Sequence, residues 1–166
     1  MMKKTLLVLL CALLPLSLWS QGEVKAGISG ALPIGDAADL SSFGLGVDLA
    51  YLFEISTDFQ AGPVAGFAHF FGEELAGVEI DDPQFVPVGG RAQLFMSRQF
   101  AIGGEGGYAF GLSDGNDGGF FIKPRLSIDV TPLIDVFADA RFIFQDGQSF
   151  NSISVGLDFK FGSKFR

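Results

Sequence analysis

Cysteine is almost absent from this sequence. The 166 residues contain one Cys, one His and one Trp. A lone thiol excludes a disulfide scaffold and any multi-thiolate metal centre. A lone histidine likewise excludes the multi-histidine ligand sets of most zinc and iron sites. Basic residues are also few: 11 Lys and Arg stand against 19 Asp and Glu, a formal charge of −8. Nucleic acid is therefore excluded as a partner, because phosphate recognition needs a basic footprint. Charged residues of both signs make up only 18% of the chain, below the roughly 25% of an average soluble protein. After residue 20 no uninterrupted apolar run approaches the length of a transmembrane helix. What the chain has in excess is Gly (23) and Phe (19). Its length suits one domain.

The first twenty residues read as an address. Met1-Met2-Lys3-Lys4 is a short positive segment, and residues 5–19 are Leu-rich and apolar. That length fits the core of a secretory signal peptide, and Pro15 interrupts it near its end. Cleavage is expected after Ser20 or after Gly22, leaving one domain over 21–166. Cys11 and two lysines leave with the leader, so the mature chain would be thiol-free and carry −10.

Period-two alternation runs through the remainder and predicts eight strands, over 24–32, 43–53, 58–71, 85–96, 99–113, 120–130, 134–144 and 153–161. In the clearest, Phe43, Leu45, Val47, Leu49, Tyr51 and Phe53 alternate with Gly44, Gly46, Asp48, Ala50 and Leu52. The fourth is irregular: Phe85 and Phe95 share parity with Arg91 and Gln93, so a bulge or register change is expected there. Pro63, Pro87 and Pro124 fall within strands, where bulges or strand ends would accommodate them. Connections at 33–42, 72–84, 114–119 and 146–151 are long, and those at 55–57, 97–98 and 131–133 are short. Alternating long and short connections describe an up-and-down meander with all long loops at one end and both termini at the other. An eight-stranded antiparallel transmembrane β-barrel has this plan. Two alternatives share the strand pattern: a soluble exported lipocalin-like barrel binding an apolar ligand, and a narrow pore.

The polar face separates the first two. It mixes charged residues with many glycines, which add no solubility to an exposed strand but make room inside a narrow lumen. Twelve charges fall on that face, six of each sign: Lys25, Arg91, Lys123, Arg125, Arg141 and Lys160 with Asp48, Asp58, Glu105, Asp129, Asp139 and Asp158. Balance is expected where charges leave bulk water and must pair. The long loops hold Asp36, Asp39, Glu73, Glu74, Glu79, Asp81, Asp82, Asp114, Asp117 and Asp146, with no Lys or Arg. Net acidity is thus confined to one rim.

The last strand, Ser154-Val155-Gly156-Leu157-Asp158-Phe159-Lys160-Phe161, has the polar-x-Gly-x-x-aromatic-x-aromatic pattern of the outer-membrane assembly signal. With the leader and eight strands, the mature chain resembles the small eight-stranded outer-membrane β-barrels of the OmpA-like and OmpX-like type. Its Gly- and Phe-rich style resembles the porin-family barrels of Bacteroidota-type envelopes. The resemblance implies that Gly156, Phe159 and Phe161 are read by the barrel-assembly machinery, although five residues, Gly162 to Arg166, follow the last matched aromatic. It also implies residence in outer-membrane lipid, with loops extracellular and termini periplasmic.

Catalytic candidates are few. His69 is flanked by Phe67 and Phe71. Lipid A deacylases carry a Ser two residues from a lipid-facing His, and here Phe71 stands in that place, so no enzyme is expected and no cofactor is assigned. The acidic loops offer oxygen ligands for a divalent cation at Glu79, Asp81, Asp82, Asp114 and Asp117. The run Asp114 to Gly119 is one residue short of a calcium loop and suits a Gly-rich turn. Extracellular partners are not identified by any motif. The expected role is structural or interactive, in envelope integrity or surface contact.

Overall fold

The computed structural model describes residues 22–39, 41–72, 74–75, 78–79, 82–113, 116–145 and 148–162. The leader expected over residues 1–20, together with Asp81 and Asp114, lies outside the described residues. Eight strands form the wall: β1 (Gly22–Ile34), β2 (Ser41–Glu54), β3 (Phe59–Gly72), β4 (Gln84–Phe95), β5 (Phe100–Gly111), β6 (Gly119–Thr131), β7 (Ile134–Gln145) and β8 (Gln148–Phe161). Each pairs antiparallel with its sequence neighbour, and β1 pairs with β8 to close the barrel. A 3-10 turn (Gly35–Asp39) follows β1, and a two-residue ribbon (Glu74–Leu75 with Val78–Glu79) rises in the β3–β4 loop. The strands run 12 to 14 residues, longer than the roughly 9–11 that cross a bilayer.

Alternation sorts the side chains cleanly. Val24, Ile28 and Leu32 of β1 face out while Glu23, Lys25 and Ala31 are buried inside. Among the described strand residues, no outward position carries Asp, Glu, Lys or Arg; every charged strand residue has the inward parity or sits at a strand end. Ile28, Val47, Leu49, Leu126, Ile128 and Val155 each expose half or more of their surface on this outer wall. A soluble fold does not present such a continuous apolar girdle.

The register is continuous around the wall. Ile34 pairs with Asn151, then Phe142, Ile122, Gly106, Gly90 and Pro63 follow by successive pairings. The β2–β3 register places Tyr51 opposite Pro63, and Tyr51 pairs with Val24. One circuit therefore ends ten residues from its start, from position 34 to position 24. An eight-stranded barrel is just wide enough inside for side chains to fill.

Three expectations require correction. First, β4 has no register change: it keeps one register with β3 and one with β5 along its length. Phe85 shares the parity of Arg91 because it also points inward, where it is buried. Second, Pro63, Pro87 and Pro124 mark neither bulges nor strand ends. Each coincides with a two-residue gap in one ladder, at 62–63, 86–87 and 123–124, and the register resumes unchanged beyond the gap. A proline lacks only its own N–H, so it forfeits a bond on one side of the strand without altering the count. The irregularities that do occur lie at strand ends, between Ser41 and Phe43 and between Asp129 and Thr131. Third, the β7–β8 connection is not long. Gln148 pairs with Gln145, so only two residues separate the strands, and 149–151 extend the ladder.

Candidate functional site: a charge-paired lumen beneath an aromatic plug

The lumen is layered. At the terminus end, Lys25 Nζ lies 2.7 Å from Asp135 Oδ2 and 3.5 Å from Glu23, and also donates to Gln93 Oε1 at 3.3 Å. Lys160 joins the same carboxylate from the next strand and lies 3.1 Å from Asp129. Gln93 in turn donates to Gln60 at 2.7 Å. Polar groups from β1, β3, β4, β6, β7 and β8 thus interlock across the floor.

The middle layer is built on Glu105 of β5. Arg91 Nε donates to Glu105 Oε1 at 2.7 Å, Arg125 Nη1 to the same oxygen at 3.0 Å, and Lys123 Nζ lies 2.6 Å from Oε2. Arg91 also reaches Asp48 and, at 3.3 Å, Asp158; Arg125 Nη2 reaches Asp158 Oδ1 at 3.2 Å. Glu105, Arg91 and Lys123 are almost wholly withdrawn from solvent. Their mutual register explains the convergence: Arg91, Glu105 and Lys123 are successive partners across β4, β5 and β6. Asp139 is 3.9 Å from Lys123, and Arg141 follows it on the inward face of β7.

Glycine makes room for this packing. Gly156 pairs with Phe137, and a Cβ there would lie 2.2 Å from the Ile28 carbonyl and 2.5 Å from the Phe137 ring. The ring seated in that space carries the Arg125 guanidinium on its face, 3.4 Å from the centroid, a cation–π contact. Gly44 and Phe70 repeat the device one storey up, a Cβ at 44 coming within 2.4 Å of the Phe70 ring.

Above the ions lies an aromatic layer the sequence pattern did not reveal. Phe70, Phe85 and Phe150 are buried in the lumen, with ring centroids 4.6 Å (70–150), 5.1 Å (85–150) and 6.3 Å (70–85) apart. Phe121 and Ile143 complete the plug. Phenylalanine therefore serves both faces of the wall, Phe43, Phe110 and Phe161 outside and Phe70, Phe85 and Phe150 inside. Phe150 was hidden inside the segment assigned to a loop, and Phe85 inside the segment read as irregular.

Two assignments move. Asp58 is not a lumen charge: it lies exposed in the turn between β2 and β3, because β3 begins one residue later. Asp135, two residues beyond the β6–β7 turn, has no exposed surface and receives both Lys25 and Lys160. Glu23 is also buried. The inward parity of residue 135 was the available signal, and its position two residues beyond a turn obscured it. Asp129 is half-buried at the floor, and Asp158 and Asp139 are buried.

At the opposite rim Asp82 ties the β3–β4 loop to the wall. Its Oδ1 accepts from Gly72 N at 2.8 Å, its Oδ2 lies 3.2 Å from His69 Nε2, and its carbonyl accepts from Ser113 Oγ at 2.6 Å. Asn116 links Gln145, Gly118 and Gln84 in the same way. Asp82 is thus occupied in holding the loop base, and Asp117 is exposed with its carbonyl accepting from Tyr108. Among the described residues no three His, Cys, Asp or Glu side chains are grouped as a metal site requires. Glu79 is described for its backbone alone. Of the assembly-pattern positions, Gly156 faces the lumen whereas Phe159 and Phe161 face out, Phe161 well exposed.

This architecture is that of a transmembrane eight-stranded β-barrel, and solved barrels share it. Ail, an outer-membrane protein of Yersinia pestis, superposes with a TM-score of 0.61 at 17% identity, over 85% of this chain and 100% of that one. The N-terminal β-barrel domain of OprF from Pseudomonas aeruginosa does so with a TM-score of 0.59 at 10% identity, over 85% and 98%. A designed transmembrane β-barrel gives 0.57 at 11% identity, over 85% and 97%. At these identities the likeness is one of fold. No family model matches the chain, and no curated protein matches it.

Proposed function

We propose that this chain is a small integral outer-membrane protein with a closed, non-conducting interior, which presents acidic loops outside the cell and keeps its termini in the periplasm. One observation carries the reading: apolar side chains line the outer wall without a charged interruption, while eleven buried charges face inward. A lipocalin-like carrier would require the reverse, with the apolar face enclosing its ligand. Against the pore alternative stand the interlocked ions around Glu105 and the aromatic layer above them. In planar bilayers the purified barrel is expected to give no steady ion conductance. Reproducible single-channel steps from the folded protein would overturn the closed-lumen reading.

Its role is one of surface contact or envelope integrity. All ten acidic residues of the four loop-end connections are unaccompanied by Lys or Arg, so that rim favours a basic partner or surface. Ail, the attachment invasion locus protein of Yersinia pestis, was solved in complex with the heparin analogue sucrose octasulfate. A polyanion of that kind is repelled by the rim described here, so the shared fold carries a different surface chemistry.

Assembly by the envelope's barrel-insertion machinery is tested at Phe161. Its ring is exposed on the outer wall at the end of β8. Phe161→Ala is expected to lower the amount of folded protein in the outer membrane of cells while leaving refolding into detergent unchanged. Equal losses in both assays would mean the ring acts only in stability. Gly156 is unsuitable for this test, because any side chain there collides with the Ile28 carbonyl and Phe137.

A further inference from the structure

We propose that the upper lumen is a sealed, hydrated chamber: a cluster of ordered water bound by Arg141, Asp139, Ser152 and Ser154, and closed off from the loop side by the Phe70–Phe85–Phe150 plug. The inference rests on the inside-out barrel reading and goes beyond it. Arg141 carries the observation. Of the six inward cations, five have a carboxylate within ion-pair distance, and among the described residues Arg141 has none. It is nonetheless buried, and its Nε makes no hydrogen bond.

Its surroundings share the condition. Ser152 Oγ, Ser154 Oγ and Asp139 Oδ1 are also buried without a hydrogen-bond partner. The four groups are neighbours by register, Ser152 opposite Arg141 and Ser154 opposite Asp139 on β8 and β7. Lys123, which the β6–β7 register places opposite Arg141, is engaged by Glu105 at 2.6 Å and adds a second cation beside it. A buried guanidinium nitrogen without a partner costs free energy, and so does an orphan carboxylate oxygen. Donors and acceptors of both kinds converge here: Arg141 Nε donates only, Asp139 Oδ1 accepts only, and the two hydroxyls do either. Water satisfies all four at once, since it donates to the carboxylate and accepts from the guanidinium. An anion would answer Arg141 but meet the Asp139 oxygen. An apolar ligand would satisfy none of them.

The plug closes the chamber from above. Phe150 lies two residues before Ser152 on the inward face of β8, and Phe121 lies two before Lys123 on β6, so the aromatic layer is the next inward layer toward the loops. Below, the Glu105 cluster fills the section.

Two measurements decide it. A crystal structure at a resolution that shows ordered water is expected to place water oxygens between Arg141 Nε, Asp139 Oδ1 and the two serine hydroxyls. A direct Arg141–Asp139 pair with no water between them would overturn the proposal. The seal is tested with Ser152→Cys, a clean reporter because the only native thiol is Cys11. A small aqueous thiosulfonate is expected to leave that thiol unmodified in the otherwise native barrel and to modify it once Phe85→Ala is added. Modification with the plug intact, or protection that persists without it, would overturn the seal. Heat-dependent gel mobility confirms folding in each case, and Phe150→Ala replaces Phe85→Ala where the latter does not fold. Conductance and membrane fractionation test the parent reading separately.

Discussion

Glu105→Gln should destabilise the barrel by about 3–5 kcal/mol, the cost of leaving buried charge without its partner. Three cations meet this one carboxylate: Arg91, Lys123 and Arg125. Glutamine keeps the size and one acceptor oxygen but removes the charge, so the three cations are left to share the remaining carboxylates. Asp158 and Asp48 already serve Arg91, and Asp158 also serves Arg125. Lys123 would retain only Asp139, at 3.9 Å. Urea titration of the refolded protein, followed by the mobility of unheated samples on a gel, reads the change. Asp58→Asn is the matched control: the same kind of neutralisation at an exposed turn residue is expected to change stability by less than ~0.5 kcal/mol. Equal effects at the two positions would contradict the layered lumen described above.

Ile28→Arg is the second large effect. Ile28 lies midway along β1, flanked by Val47 on β2 and Leu157 on β8, and exposes 50% of its surface on the outer wall. On a soluble protein an exposed apolar residue accepts arginine at little cost. At the midplane of a bilayer the same substitution costs about 2–4 kcal/mol. Ile55, 62% exposed in the β2–β3 turn, provides the comparison. Refolding into lipid vesicles is expected to lose most of its stability margin with Ile28→Arg and almost none with Ile55→Arg. Similar tolerance at both sites would place the outer wall in water.

Much of this was legible in the sequence because a barrel wall obeys a period of two at nearly every position. Phe43 to Phe53 reads as an outward face whatever surrounds it, and the inward Lys123, Arg125 and Asp139 follow from the same rule. Legibility failed where one face carried both chemistries. Phe85 looked out of place beside Arg91 because an aromatic was assumed to face lipid, when the lumen itself changes from ionic to aromatic along its length. Phe150 was lost by treating 146–151 as a loop on account of its Gln, Ser and Asn residues; only the pairing with 142–144 makes it a strand. Asp135 was lost because a residue just after a turn reads as exposed, and nothing in a single chain shows that Lys25 and Lys160, 110 and 25 positions away, converge on it. Those contacts are products of closure. They depend on the ten-residue stagger of the wall, which pattern alone does not fix.

The central claim, that the apolar wall faces lipid and the charges face inward, is tested most directly by where the expressed full-length chain goes and how it migrates there. The account predicts that the protein sediments with the outer membrane, resists alkaline extraction, and runs faster on a gel unheated than boiled, as a closed barrel does. Recovery in the soluble periplasmic fraction, with one mobility regardless of heating, would contradict it.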